Sequence, residues 1–269
     1  RAEVRDHNVF IVDTESGEAI GLTDDGTADH HYGRLSWSPD SRALAAFRIR
    51  PVETRVVYTL QNSLPADVFA SRLTEQRYPL PGDEFTKYEP NVFNIEERRH
   101  IRPDVEIIDF GTPQWRWRDG HKVTYEKVDR GHQRFRIVEI DALTGEARNI
   151  IDERAETFIW TAHMDVMNFP KVHWLEQTDE IIFTSEMDGW RHLFLVDVPT
   201  GRIVNTVTPG EYVVREVDRV DEEKRQIWFR ASGMNPDQDP YFIHYYRINF
   251  DGTGLVALTE GDGTHAIEY

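Results

Sequence analysis

Residues 113–151 read PQWRWRDGHKVTYEKVDRGHQRFRIVEIDALTGEARNII, and the order of pieces in this stretch decides the fold. An aromatic run, Pro113-Gln114-Trp115-Arg116-Trp117, meets the polar turn Asp119-Gly120. A second run, Val123-Thr124-Tyr125-Glu126, precedes a third, Phe135 to Asp141, that ends on an aspartate. Thr144-Gly145-Glu146 then turns the chain into a fourth run, Ala147 to Ile151. Short runs rich in β-branched and aromatic residues, bounded by Gly and Asp, read as strands. The punctuation has a mechanism. Asp-Gly and Thr-Gly supply residues that tolerate positive φ, which tight hairpins between twisted strands require.

The same order recurs. Val172-His173-Trp174, Ile181 to Thr184, Leu193 to Asp197, Thr200-Gly201-Arg202 and Ile203 to Thr208 form one copy. Val213 to Val220, Ile227 to Arg230, Ile243 to Phe250, Asp251-Gly252-Thr253-Gly254 and Leu255 to Thr259 form another. A spacing of about 50 residues is that of four-stranded propeller blades. The expected fold is therefore all-β: a β-propeller of four-stranded antiparallel blades, part of a larger ring. The expected divisions are a partial blade at 8–23, a blade at 35–105, and blades at 112–152, 170–210 and 212–260, with a further blade starting at 263–269. The blade at 35–105 is interrupted by an insertion at 51–90, either a functional lid or an unstructured excursion. Incomplete blades at both ends suggest a piece of a longer ring, or two halves that complete one blade by closing it.

Composition removes several classes of function. Among 269 residues the formal charge is −17, which repels nucleic acid and anionic membrane surfaces. With no cysteine, disulfides and thiolate chemistry are excluded, and the lack fits the cytoplasm or an export compartment equally. No apolar run approaches the ~20 residues of a membrane span. The Gly-x-Ser-x-Gly elbow of α/β-hydrolases, His-Glu-x-x-His and Gly-rich phosphate loops are all missing, so no catalytic residue, metal ligand or cofactor site is assigned. The acid pairs Glu96-Glu97 and Glu222-Glu223 sit where hairpin turns belong, although adjacent acids can also grip an ammonium group.

One connection concentrates chemistry: Ser185-Glu186-Met187-Asp188-Gly189-Trp190-Arg191-His192. In a functional reading Glu186, Trp190 and Arg191 bind a peptide substrate. In a structural reading Trp190 packs between blades, and Arg191 or His192 pairs with a neighbouring carboxylate.

That string, with Asp197 and Thr200-Gly201, resembles the N-terminal region of the dipeptidyl peptidase IV branch of the prolyl oligopeptidase family. So do Trp228 to Gly233, Asp239-Pro240-Tyr241, Phe250 to Leu255, Gly261 to His265, and Leu35-Ser36-Trp37-Ser38-Pro39-Asp40. The resemblance covers nearly the whole chain. It implies an eight-bladed propeller whose partner is a C-terminal α/β-hydrolase domain carrying Ser, Asp and His, with the blades gating peptide access. Members that release dipeptides carry a glutamate pair on a short helix before a Trp-Ser-Pro segment. The matching place here, Asp25 to Arg34, holds Asp29 and His30-His31 instead. A stand-alone propeller that binds or scaffolds without activity is the alternative, since fold alone does not fix function.

Overall fold

The computed structural model describes residues 1–63, 71–161 and 170–267, and among them there is no helix. The strands form successive antiparallel meanders. The first sheet holds β1 (Ala2–Arg5), β2 (Asn8–Val12) and β3 (Ala19–Gly21), so a strand precedes the two expected at 8–23. The second holds β4 (His31–Trp37), β5 (Ala43–Arg50), β8 (Lys87–Asn94) and β9 (Arg99–Ile101) in that order. Between β5 and β8 runs a separate hairpin, β6 (Val56–Gln61) with β7 (Arg72–Arg77), in register from Val56↔Arg77 to Gln61↔Arg72. The insertion is thus a two-stranded arm rather than an excursion without structure; its residues 64–70 lie outside those described.

Three four-stranded sheets follow, each in sequence order. They are β10 (Arg116–Trp117) to β13 (Ala147–Arg154), through β11 (Lys122–Val128) and β12 (Arg134–Asp141); β14 (Val172–Leu175), β15 (Glu180–Ser185), β16 (His192–Asp197) and β17 (Arg202–Thr206); and β18 (Val213–Asp221), β19 (Gln226–Ser232), β20 (Ile243–Asn249) and β21 (Val256–Ala257). These meanders are propeller blades. Beyond β21, Thr264–Ile267 is irregular, with the His265 N–H donating to the Ile243 carbonyl at 3.0 Å.

Four of the turns expected after a third strand share one construction. Asp13 Oδ1 accepts the Glu15 and Ser16 N–H groups, Asp141 Oδ1 those of Leu143 and Thr144, and Asp197 Oδ2 that of Thr200. Asn94 does the same for Glu97 at 3.1 Å, which makes Glu96-Glu97 a turn. The left-handed position is filled by Gly17, Gly145 and Gly201, but by Arg98 in the second sheet. Ser38-Pro39-Asp40-Ser41 closes β4 onto β5: Ser38 Oγ accepts the Ala43 N–H at 2.9 Å and donates to Asp40 at 2.7 Å.

Inner strands are buried on both faces, so they read as near-continuous apolar runs rather than as alternations. In β5 the alternate set Ala43, Ala45, Phe47 and Ile49 packs with Val123, Tyr125, Val138 and Ile140. Leu44 and Ala46 face the other way, onto Val9, Tyr32 and Phe93. Phe47 stacks on Trp115 at 4.0 Å between centroids. In the later sheets Ile182, Leu193 and Leu195 meet Ile227, Phe229, Tyr246 and Ile248. The chain forms two compact units, Arg1–Arg130 with Ile137–Arg148, and Gly131–Arg136 with Asn149–Tyr269. The boundary cuts across β12 and β13.

Candidate functional site

The second unit carries a cavity of about 370 Å³, lined by the end of β13, the segment that follows it, and the β15–β16 connection. The connection is a tight turn because Gly189 takes a φ of 98° and its N–H donates to the Glu186 carbonyl at 3.0 Å. Ser185 Oγ accepts the Met187 N–H at 3.1 Å, and Asp188 accepts that of Trp190 at 3.2 Å. The facing segment is pinned from 131–136: the Ile159 N–H donates to the His132 carbonyl at 2.6 Å, and the His132 ring is 2.8 Å from Thr161 Oγ1.

At the cavity wall a buried ion pair closes on itself. Lys171 Nζ is 2.9 Å from Glu153 Oε2, donates to the Thr184 carbonyl at 2.6 Å, and lies over the Phe183 ring at 4.6 Å. Ser185 Oγ donates to the other Glu153 oxygen. Burial pulls the Lys171 ammonium below its ordinary pKa, and the Glu153 carboxylate opposes that shift.

The structure brings two of the three expected binding residues, Glu186 and Arg191, to this cavity and leaves Trp190 off its lining, 40 % exposed. Glu186 is exposed, near enough to Lys171 and Arg191 to act on both electrostatically, and in ion-pair contact with neither. Arg191 is buried. Its Nη1 donates to the Arg215 carbonyl at 2.7 Å, and its guanidinium lies 5.4 Å from the centre of the Trp160 ring. Burial is the main cause that lowers its pKa. His192, the other candidate for a carboxylate partner, instead bonds the Gly210 carbonyl at 2.9 Å.

Sequence reasoning missed Trp160, Lys171 and Glu153. Trp160 lies in an irregular segment with no period, and the Lys171–Glu153 pair joins the end of β13 to the residue just before β14.

Other candidates resolve into structure. Glu222 caps the β14–β15 turn, accepting the Glu176 and Gln177 N–H groups at 2.9 and 2.8 Å. Glu96 pairs with Arg42 at 2.8 Å on the surface. Asp25 to Arg34 forms no helix. Asp25 there accepts the Tyr32 hydroxyl at 2.9 Å and pairs with Arg48 and Arg102, while His30 lies 3.1 Å from Glu89.

Comparison with known proteins matches this geometry to one family. The model of the dipeptidyl peptidase IV (DPP IV) N-terminal region matches residues 2–269. Dipeptidyl peptidase 4 of Trichophyton equinum is 24 % identical over 280 residues, which cover 96 % of this chain and 35 % of that protein. The Trichophyton tonsurans protein of the same name is 23 % identical with the same coverage. The crystal structure of Porphyromonas gingivalis dipeptidyl peptidase 4 superimposes with a TM-score of 0.66 at 18 % identity, covering 98 % of this chain and 38 % of that one. The chain therefore spans about a third of the length of the curated relatives it matches.

Proposed function

We propose a role that starts from kinship: the chain belongs to the dipeptidyl peptidase IV N-terminal region family, and it acts as the non-catalytic propeller part of a serine peptidase. Its blades admit peptide to a C-terminal α/β-hydrolase domain, where a Ser-His-Asp relay performs acyl transfer. The observation that carries the peptide-binding half of this reading is the cavity holding Glu186 and Arg191 beside Trp160. It offers an acid, a cation and an aromatic face, the three groups a peptide's ends and side chains can use. Trp190 belongs to the proposal as an exposed aromatic in the same turn, available to a longer peptide. Release of dipeptides in particular is left out of the role, because Asp25 to Arg34 lacks the glutamate pair.

The test has two arms. The purified chain alone should fail to hydrolyse a proline-containing chromogenic dipeptide, and hydrolysis would overturn the non-catalytic assignment. The open reading frame should carry Gly-x-Ser-x-Gly and later Asp and His codons downstream; a stop soon after residue 269 would favour a stand-alone binding module.

A further inference from the structure

We infer that the recognition group of this cavity is the Arg191 guanidinium and that it takes a single carboxylate carried by a peptide. The inference rests on the peptide-binding reading and adds what the site selects.

Two buried cations line the cavity, and they differ in how fully their bonds are used. Lys171 is closed by Glu153, the Thr184 carbonyl and the rings of Phe135 and Phe183. Arg191 is only 8 % exposed, yet has no carboxylate within ion-pair distance among the described residues. A buried charge without a counter-ion is costly. Among the described residues its bonds to protein all leave from one nitrogen: Nη1 donates to the carbonyls of Arg215 and Val214, at 2.7 and 3.4 Å. Nε and Nη2 remain, and that edge of a guanidinium matches the two oxygens of a carboxylate. The guanidinium carbon lies over the Trp160 ring, 5.4 Å from its centroid, and with the Nη1 bonds this contact pre-organises the fork.

Charge narrows the ligand further. Glu186 stands at the cavity beside Arg191, and the chain carries −17 overall. Both penalise a phosphate or a polyanion more than one carboxylate. A volume of about 370 Å³ holds a side chain and its flanking backbone, at the low end of ligand sites. The carboxylate belongs either to an acidic side chain or to a free C-terminus.

Blocked tripeptides separate these sources in the whole protein, by equilibrium binding read through tryptophan fluorescence. One pair is acetylated and amidated, with aspartate or asparagine in the middle of an alanine peptide. The other is acetylated trialanine with a free or an amidated C-terminus. The charged member of at least one pair should bind about 10-fold tighter than its neutral twin, the scale of a charge-assisted hydrogen bond. Arg191→Met should erase that difference, and Glu186→Gln should tighten the charged peptide about 3-fold by removing a like charge. Equal binding of charged and neutral peptides overturns the inference and leaves peptide binding standing. Binding of none overturns both. If Arg191→Met fails to fold, Glu186→Gln decides, since an unchanged affinity for the charged peptide refutes the placement of the carboxylate.

Discussion

Replacing Lys171 with methionine should destabilise the second unit by about 3 kcal/mol, and changing Glu153 to glutamine as well should return most of that loss. The Lys171 and Glu153 side chains are 5 % and 8 % exposed and lie 2.9 Å apart. Methionine keeps the stem's contacts with Phe135 and Phe183 but removes the charge over both rings. It also leaves the Thr184 carbonyl without its donor. Breaking a buried pair from one side costs roughly 3–5 kcal/mol, because the remaining charge stays buried. The lower end applies here, since Ser185 still donates to Glu153 and the cavity lets water approach. Glutamine at 153 removes the orphaned charge while still accepting from Ser185, so the coupling should reach at least about 2 kcal/mol. A chain with two compact units need not unfold in one step. The assay is therefore urea-dependent hydrogen exchange of the β15 and β16 amides, which reports this unit. A loss below about 1 kcal/mol for Lys171→Met, or a double variant no better than the sum of the singles, would refute the reasoning.

Acid should weaken the same unit through His173, whose imidazole burial holds down to about 4. Its folded pKa lies below the unfolded 6.5, so its contribution is whole above pH 6.5 and drains as pH falls toward 4, by about 3 kcal/mol at most. His173→Gln should flatten that limb of a pH–melting curve. Asp152, held at about 2 mainly by the Arg134 hydrogen bonds, should add further loss only as pH falls from 3.8 through 2. Gly201→Ala should cost at least about 2 kcal/mol by chemical denaturation and Gly17→Ala about 1. Both have a φ near +70°, but an added Cβ at 201 would lie 2.6 Å from the Ile150 carbonyl oxygen, whereas at 17 it meets nothing. Phe47→Ala should cost about 4 kcal/mol in the first unit, because Phe47 is fully buried and stacked on Trp115.

Much of the fold was legible because it is written in short-range chemistry. In four of the blades the aspartate or asparagine at the end of the strand bonds amide groups two or three residues on, so Asp13, Asn94, Asp141 and Asp197 announced their hairpins. Glu96-Glu97 was readable as a turn for the same reason. Arg98 in the position glycine fills elsewhere was not, since any residue can be forced there by the strands on either side. The β6–β7 arm was hidden too. Its residues are exposed on nearly all sides, so neither strand carries the alternation that would mark one.

At the site, residues adjacent in sequence do not all meet the same cavity. Glu186 and Arg191 face the cavity, but the ring that meets the guanidinium is Trp160, supplied by a different segment, and not the adjacent Trp190. By itself the sequence determined where the strands of the later sheets lie and which Asx turns join them, because backbone torsions and Asx bonds act over a few residues. Only the tertiary structure decided which charges are closed and which stay open. Lys171 found Glu153, and among the described residues Arg191 found only backbone carbonyls and a ring, because desolvation and Coulomb attraction depend on distance through space rather than along the chain.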